Sequence, residues 1–294
     1  MYNVIDKNSV DFFGRNIRKS PKGESESSYI LPMNIMVCIK QVPGSNKVEV
    51  DPVTGVLKRD GADSKMNPYD LYALETALRL KEEEGGKVCV ITMGPPSATE
   101  VIREAFSMGA DEGYLLTDRK FAGADVLATS YTLSQGIKMA GDFDIIITGK
   151  QTTDGDTAQV GPEMSEYLDI PCIANVIEIN EVRARGLNVT MDMQTAVERS
   201  FISYPCLISV DKDIYQPRLP SYVKKKASAN KEIKYITFAD LSDRDESKYG
   251  LSGSPTQVQR IFPPAVNDKR EMLTGDAQSI SATIAQKLRE LKFV

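Results

Sequence analysis

The loop that follows the apolar run at 145–147 carries the residue types best suited to binding chemistry. It combines glycines, hydroxyls, amides and carboxylates in the order Gly149, Lys150, Gln151, Thr152, Thr153, Asp154, Gly155, Asp156, Thr157, Ala158, Gln159 and Val160. Glycines let a backbone approach a ligand closely, and Gly161-Pro162 then opens a helix whose first amides can bind an anion. We predict a nucleotide site here, with phosphate on the amides and with ribose hydroxyls or loop amides on the two aspartates. The alternatives are a simple turn from strand to helix and a cation site at the aspartates.

Composition excludes most other chemistry. The 294 residues include no histidine, which removes Ser-His-Asp and Cys-His catalysis, His-ligated zinc and a histidine general base. The four cysteines form no C-x-x-C pair and lie in or beside apolar runs, so we expect buried free thiols in a reducing, cytoplasmic compartment. The net charge of -5 gives no reason to expect nucleic acid. No apolar run approaches the roughly 20 residues of a membrane-spanning helix.

The elements that must position the loop alternate between strands and helices. Short apolar runs at 35–39, 88–93, 113–116 and 145–147 are typical of buried parallel strands. Helices are predicted after Asn67-Pro68, from about residue 97, over 124–140 and after Gly161-Pro162. This alternation predicts an α/β fold: a doubly wound, mostly parallel sheet of the Rossmann-like nucleotide-binding kind.

Two strand ends and one helix start should meet the loop. In doubly wound sheets, ligands bind beyond the carboxyl ends of the strands, near a switch in strand order. The groups expected there are Cys38 and Lys40 after the first strand, Met93 and Gly94 after the second, and the helix start Asn67, Pro68, Tyr69 and Asp70. Each alone is readily explained as structural (Met93 as core, Asn67 as a helix cap). Together they predict the walls of a crevice.

The chain divides by composition into three parts. Residues 1–32 are polar and lack periodicity, so we expect a disordered or non-native extension. Residues 33–225 form the nucleotide-binding domain, with a hairpin at 47–59 and an antiparallel addition made of 174–179, 187–193 and 206–210. Residues 226–294 are expected to form an extended arm that packs on a partner. Its last helix, 279–291, has one apolar stripe.

Taken together, these motifs resemble the β subunit of electron-transfer flavoproteins. The resemblance rests on VCIKQVP from Val37, KMNPYDLYALETALRLKE from Lys65, VITMGP from Val90, EAFSMGAD from Glu104, GKQTTDGDTAQVGP from Gly149 and GSPTQV from Gly253. It covers nearly all of the chain after Met33. Two features depart from the family pattern: Thr152-Thr153 replaces a pair that is often Ala-Ile, and the segment before the lysines at 224–226 is short.

The resemblance implies a heterodimer with a flavin-carrying α subunit, around which the arm 226–294 would wrap. It places the cofactor-binding residues at Cys38, at 67–70, at Met93 and along 149–160. It also implies a docking segment at 216–226, including Arg218, Leu219 and Pro220, for a flavin dehydrogenase of the acyl-CoA or 2-hydroxyacid type.

The resemblance further implies which nucleotide the crevice holds. The DGDTAQVGP and GSPTQV motifs resemble the electron-bifurcating group, which implies FAD in the crevice, NADH as electron donor, and ferredoxin and the dehydrogenase as acceptors. The alternative within the family is a non-bifurcating subunit with structural AMP. An adenine-nucleotide hydrolase on a similar scaffold is disfavoured, because no S-G-G-x-D-S-type loop is present.

Overall fold

The computed structural model describes residues 32–44, 64–212, 214–258 and 270–294, with two-residue strands at 18–19, 29–30, 49–50 and 57–58. The chain divides into two compact units, one of residues 1–48 and 59–258 and the other of residues 49–58 and 259–294. The first unit contains the sheet and every predicted site residue. Most of residues 1–32 lie outside the described part of the chain.

The strands are β1 (Arg18–Lys19), β2 (Tyr29–Ile30), β3 (Met33–Cys38), β4 (Gln41–Pro43), β5 (Glu49–Val50), β6 (Leu57–Lys58), β7 (Ser64–Met66), β8 (Gly86–Met93), β9 (Glu112–Leu116), β10 (Ile145–Gly149), β11 (Cys172–Arg183), β12 (Gly186–Asp192), β13 (Val197–Ser203), β14 (Cys206–Val210) and β15 (Lys234–Ile236). The α-helices are α1 (Pro68–Glu84), α2 (Thr99–Met108), α3 (Val126–Ala140), α4 (Val160–Leu168), α5 (Tyr222–Ala227) and α6 (Ala277–Glu290).

Nine strands form the central sheet, in the order β13-β12-β11-β14-β10-β3-β8-β9-β15. From β11 to β15 all neighbours run parallel, while β12 and β13 are added antiparallel. The predicted α/β class and mostly parallel sheet are therefore confirmed. The chain runs outward from β3 to β8 and β9, then returns to the other side of β3 with β10. The switch in strand order thus lies between β3 and β10, where such sheets bind ligands.

Both faces of the sheet are covered, as a parallel sheet requires. One buried cluster combines alternate strand residues such as Val37 and Val90 with α1 and α2. The other combines the intervening residues, such as Met36 and Ile91, with α3 and α4. Because successive side chains of a strand point to opposite faces, the short continuous apolar runs serve both clusters at once.

The antiparallel addition differs from its prediction in one strand. The segment 206–210, expected to be antiparallel, is β14, which lies between β10 and β11 and pairs in parallel with both. All five of its residues are buried, which is the pattern of a central parallel strand. The third strand of the addition is instead β13, which the sequence analysis did not predict because its side chains are mostly exposed and charged residues interrupt its alternation.

The C-terminal segments contain more structure than their composition suggested. Strand β15 pairs in parallel with β9, and Tyr249 is fully buried against Phe121 and Phe238. Residues up to 258 belong to the same unit as the sheet. In the second unit, the predicted hairpin is present as β5 paired antiparallel with β6, and the predicted last helix is α6. Among the described residues, no helix is long and apolar enough to cross a membrane.

Candidate nucleotide site

The crevice loop, residues 149–160, leaves the sheet at the switch point beside the end of β3. Strand pairing extends one residue beyond β10, because the Lys150 amide donates to the Val210 carbonyl at 2.9 Å. Across the switch point, the Asn67 amide donates to the Lys40 carbonyl at 2.8 Å and so ties the start of α1 to the end of β3. Three predicted groups, the loop, the end of β3 and the start of α1, are therefore brought together.

Asn67 lies beneath the crevice loop and is fully buried, with 0% of its surface exposed. Its Nδ2 donates to the Gln151 carbonyl at 2.9 Å and to Asp70 Oδ1 at 2.8 Å, and its Oδ1 accepts from the Thr153 amide at 3.2 Å. Asn67 occupies the N-cap position of α1, as predicted, but its side chain makes no capping hydrogen bond. Its polar atoms hold the loop instead.

Asp70 is a buried carboxylate, 5% exposed, on the first turn of α1. Its Oδ2 accepts from the Lys40 amide at 2.7 Å, and its Oδ1 accepts from Asn67. Burial raises the pKa of this carboxyl to about 7, although the hydrogen bonds and the Lys40 charge oppose the shift. A carboxyl that changes charge near neutral pH therefore lies at the base of the crevice.

Gly149 is required by close packing against α1. A Cβ at this position would lie 2.6 Å from Asp70 Oδ1 and 2.7 Å from the Tyr69 carbonyl carbon, closer than real Cβ atoms approach. By contrast, a Cβ at Gly155 would meet only Thr152 Oγ1, at 3.2 Å. The first glycine therefore lets the loop begin against the helix, whereas the second lies in an exposed turn.

The two lysines near the loop point to different partners. Lys40 Nζ contacts both carboxylate oxygens of Asp154, at 2.7 and 2.8 Å, so an ion pair joins the end of β3 to the tip of the loop. Burial alone would raise the pKa of Asp154, but the hydrogen bonds and charge of Lys40 lower it. Lys150, whose direction the sequence left open, turns away from the tip and pairs with Asp211 at 2.8 Å. Lys40 is therefore the predicted cation that faces the crevice.

The tip of the loop is an exposed turn. The Asp156 amide donates to the Thr152 carbonyl at 2.9 Å, which closes a turn, and Gln151 Nε2 bonds the Asp156 carboxylate. Asp156 and Ala158 have positive φ angles, 58° and 56°, which residues other than glycine seldom adopt. Residues 153–159 are exposed.

The amides at the end of the loop suit an anion. Within the described part of the chain, no hydrogen bond uses the amides of Thr157, Ala158 or Gln159, which lead into the first turn of α4. Adjacent unbonded amides at a helix start, with left-handed residues before and among them, suit phosphate. These residues therefore fit the phosphate portion of a nucleotide.

The remaining predicted wall residues lie at the ends of β3 and β8. Cys38 is buried, and its pKa is raised well above the usual thiol range by burial and by the nearby Asp70, so the thiol stays protonated and unreactive. Met93 is half-buried against the α3–α4 face, and the Gly94 amide donates to the Leu116 carbonyl at 3.0 Å. Pro68 opens α1. In the described structure, Met93 and Gly94 make no hydrogen bond to the crevice loop.

The predicted docking residues divide into an anchor and an exposed surface. Arg218 donates to Glu75 and Glu82 of α1, with its Nε 2.7 Å from Glu75 Oε2. Leu219 is 87% exposed, and Pro220 beside it is exposed too. Arg218 therefore holds the docking segment, residues 216–226, on α1.

Sequence reasoning missed three residues that shape these two loops. Asp211, the partner of Lys150, follows β14 directly, and it would have been found had β14 been placed among the parallel strands. Glu75 and Glu82, the partners of Arg218, lie two turns apart on α1 in a run that reads as a solvated helix face. Nothing in the sequence marks them, because their partner is more than 130 residues away.

The fold is that of an α/β protein with a candidate ligand site at the switch point of its sheet. The electron transfer flavoprotein domain matches residues 54–241. The chain is 42% identical over 262 residues to the electron transfer flavoprotein subunit beta of Clostridium acetobutylicum, with 89% of this chain and 100% of the relative covered. The chain therefore belongs to the family of electron-transfer flavoprotein β subunits, and its function class is flavin-linked electron transfer.

Two further relatives carry more specific names. One is subunit CarD of the caffeyl-CoA reductase-Etf complex of Acetobacterium woodii, 41% identical over 260 residues, with 88% of this chain and 98% of the relative covered. The other is Protein FixA of Sinorhizobium fredii, 40% identical over 264 residues, with 87% of this chain and 92% of the relative covered.

Proposed function

We propose that this chain is the FAD-binding β subunit of an electron-bifurcating electron-transfer flavoprotein. It would pair with an α subunit and pass electrons from NADH toward ferredoxin and a partner flavin dehydrogenase. The observation that carries nucleotide binding is the crevice loop, which begins at the switch point of the sheet and whose amides at 157–159 make no hydrogen bond within the described part of the chain. The FAD and bifurcation part of the proposal rests on the DGDTAQVGP and GSPTQV motifs. The likeness to CarD, a subunit of a reductase-Etf complex, supports the assignment to a complex with a partner oxidoreductase.

The crevice residues have separate tasks in this proposal. The amides of Thr157, Ala158 and Gln159 hold the pyrophosphate, and Lys40 presents its positive charge toward it. Cys38 and Met93 form apolar walls, and the protonated Cys38 thiol makes no covalent adduct. Bound flavin supplies the redox chemistry, hydride uptake from NADH followed by electron transfer, so no side chain of this chain needs to act as acid or base.

Docking of the dehydrogenase is assigned to the exposed part of the docking segment. Leu219 presents its side chain outward from a backbone that Arg218 fixes to α1, so the anchor for a partner is held in place before contact. The predicted arm 226–294 is narrowed here to its last part, residues 270–294, which is assigned to the α subunit, because residues up to 258 belong to the same unit as the sheet. Its last helix, α6, leaves Ile284, Leu288 and Leu291 exposed on one stripe, as expected of a helix that packs on a partner.

The proposal is tested by purifying the chain with its α subunit and counting the nucleotides in each heterodimer. Two FAD per heterodimer, with bleaching of the flavin spectrum on addition of NADH, is the expected result. One FAD with one AMP, and no spectral response to NADH, would overturn the proposal in favour of a non-bifurcating subunit with structural AMP. The same loop suits either FAD or AMP, because both nucleotides contain the adenosine phosphate portion.

A further inference from the structure

The crevice loop depends on a residue that lies wholly beneath it. Asn67 is fully buried, and the crevice loop covers it through the Gln151 carbonyl and the Thr153 amide. Both donor hydrogens of its carboxamide are engaged, one on Gln151 and one on Asp70. With its oxygen bonded to Thr153, the side chain has no donor left for a ligand.

The orientation of this carboxamide is set by its neighbour. An amide could be turned over to exchange its oxygen and nitrogen, but the ionised Asp70 carboxylate has no hydrogen to donate and pairs with the nitrogen, while the Thr153 amide requires the oxygen. Asp70 is itself held by the Lys40 amide, which belongs to the end of β3. The end of β3 therefore determines, through Asp70, which face of Asn67 is presented to the loop.

The bonds that Asn67 makes are bonds to backbone. A side chain that bonds a carbonyl and an amide two residues apart fixes the path of the chain between them, whatever side chains that chain carries. The turn that follows, closed by the Asp156 amide on the Thr152 carbonyl, begins from this fixed path and leads to the amides at 157–159, which make no hydrogen bond in the described structure.

We propose that Asn67 is a positioning residue of the nucleotide site, whose buried carboxamide shapes the crevice loop and controls nucleotide affinity without touching the nucleotide. This inference rests on the proposed function for its link to nucleotide binding. It assigns to Asn67 a task different from that of a wall residue in contact with the cofactor. Two sets of substitutions distinguish a positioning role of Asn67 from a purely structural role.

The first substitution is Asn67→Asp. It keeps the acceptor for the Thr153 amide but places a carboxyl oxygen against both the Gln151 carbonyl and Asp70. At pH 8 two ionised carboxyls at positions 67 and 70 would repel each other and offer no hydrogen to the Gln151 carbonyl, so the loop tether is lost. At pH 6 a proton held by the pair relieves the repulsion and restores one donor. We expect AMP affinity of the full-length heterodimer, stripped of nucleotide, to fall at least about tenfold at pH 8 and by less at pH 6.

The second is the double substitution Asn67→Asp and Asp70→Asn, called the swap because it interchanges the two side chains. Here the amide at position 70 donates to the carboxylate at position 67, so the link between the two side chains is restored in reverse. The Gln151 carbonyl still faces an oxygen. We expect the swap to recover most of the thermal stability lost in Asn67→Asp, while AMP affinity remains at least about tenfold reduced.

Hydrogen exchange of the nucleotide-free heterodimer gives a readout that does not depend on a ligand. The Thr153 amide, bonded to Asn67, should exchange more slowly than the unbonded Thr157 amide, and the swap should accelerate exchange across 150–156. The matched control is the same substitution at another position, Asn180→Asp on β11, where Asn180 Oδ1 accepts from the Thr190 hydroxyl at 2.8 Å. It should alter neither AMP affinity nor loop exchange.

Three results would overturn the proposal. They are equal exchange at Thr153 and Thr157, wild-type AMP affinity in Asn67→Asp at pH 8, and a swap that restores affinity together with stability. If the wild-type heterodimer binds neither AMP nor FAD, the proposed function fails, but hydrogen exchange still decides whether Asn67 shapes the loop.

Discussion

Helix α1 contacts the crevice loop at its start and the docking segment further along, and it holds the two by different chemistry. At the first turn, Asn67 bonds the backbone of the crevice loop through neutral groups that are fully buried. Further along, Glu75 and Glu82 bond the guanidinium of Arg218 and so hold the docking segment by charge. Within the described residues, the crevice loop has unbonded backbone amides at 157–159, whereas the docking segment presents an exposed apolar side chain.

This difference follows from what each loop must offer. A phosphate site made of amides needs a defined backbone path, so its support must be rigid and lie directly beneath the chain. A docking surface needs an exposed side chain on an anchored segment, and ion pairs at a partly exposed site can supply the anchor. The two regions should therefore respond differently to pH and to substitution.

The largest expected effect is the pH dependence that Asp70 gives to stability. Burial raises the pKa of Asp70 from 3.8 to about 7, so between these values the folded state keeps a proton that the unfolded state has released. Stability therefore falls as pH rises through this window, by roughly 2–3 kcal/mol between pH 5 and pH 8. Urea unfolding of the wild type and of Asp70→Asn at both pH values measures this, and the variant should lack that decline.

Two controls belong to that measurement. Asp70→Asn also disturbs the hydrogen bonds from Lys40 and Asn67, so the pH slope decides the outcome and the absolute stability does not. At the docking segment, the hydrogen bond from Arg218 lowers the pKa of Glu82, and this stabilisation is lost only as pH falls through the acid range. Identical pH slopes for the wild type and Asp70→Asn would contradict the buried-carboxyl account.

The next effect is that of Gly149→Ala, compared with Gly155→Ala. A methyl group at position 149 would enter the space of Asp70 and Tyr69, whose positions the helix fixes. We expect a loss of about 2 kcal/mol in the free energy of unfolding and at least about a tenfold loss of AMP affinity. The methyl group at position 155 meets only one flexible hydroxyl side chain, so both quantities should stay near the wild type. Equal effects of the two substitutions would show that the loop is not held against α1.

The substitution Arg218→Ala tests how the docking segment is held on α1. Glu75, with its side chain only 3% exposed, would keep Arg79 and the backbone amide of residue 218 as partners but lose the guanidinium of Arg218, so we expect a loss of about 2 kcal/mol in stability. AMP affinity should be unchanged, since the crevice loop does not touch this ion pair. Leu219→Ala is the matched control, because its exposed side chain should alter stability by less than about 0.5 kcal/mol. A drop in AMP affinity with Arg218→Ala would show that the two loops are not independent.

The smallest effect is expected from Asp154→Asn. The Lys40–Asp154 pair is about 40% exposed on each side, and exposed pairs contribute about 0.2–1 kcal/mol. Removing the carboxylate frees Lys40 and removes a negative charge beside the proposed phosphate position. AMP affinity should rise about two- to fivefold at low salt, with adenosine affinity unchanged. A fall in affinity for both ligands would instead indicate that Asp154 bonds ribose, the task first predicted for it.

Sequence reasoning predicted the parallel strands and the crevice loop because both depend on the pattern of residues that are neighbours in the chain. The continuous apolar runs identify β3, β8, β9 and β10, and the rule that ligands bind at strand ends then identifies the loop. It was wrong about the direction of β14, because five apolar residues do not specify whether a strand runs parallel or antiparallel to its neighbours. That error also concealed Asp211, which directly follows the strand.

The sequence by itself determined the fold class, the family and the place of the candidate site, since periodicity, turn residues and motif spacing are properties of neighbouring residues. Only the tertiary structure decided how the site is held. Asn67 was predicted to cap a helix and instead bonds a loop 84 residues further along the chain, and Lys150 turns toward Asp211. Partners so distant in sequence meet only when strand order is set, because burial then forces each polar side chain to find the nearest complementary group.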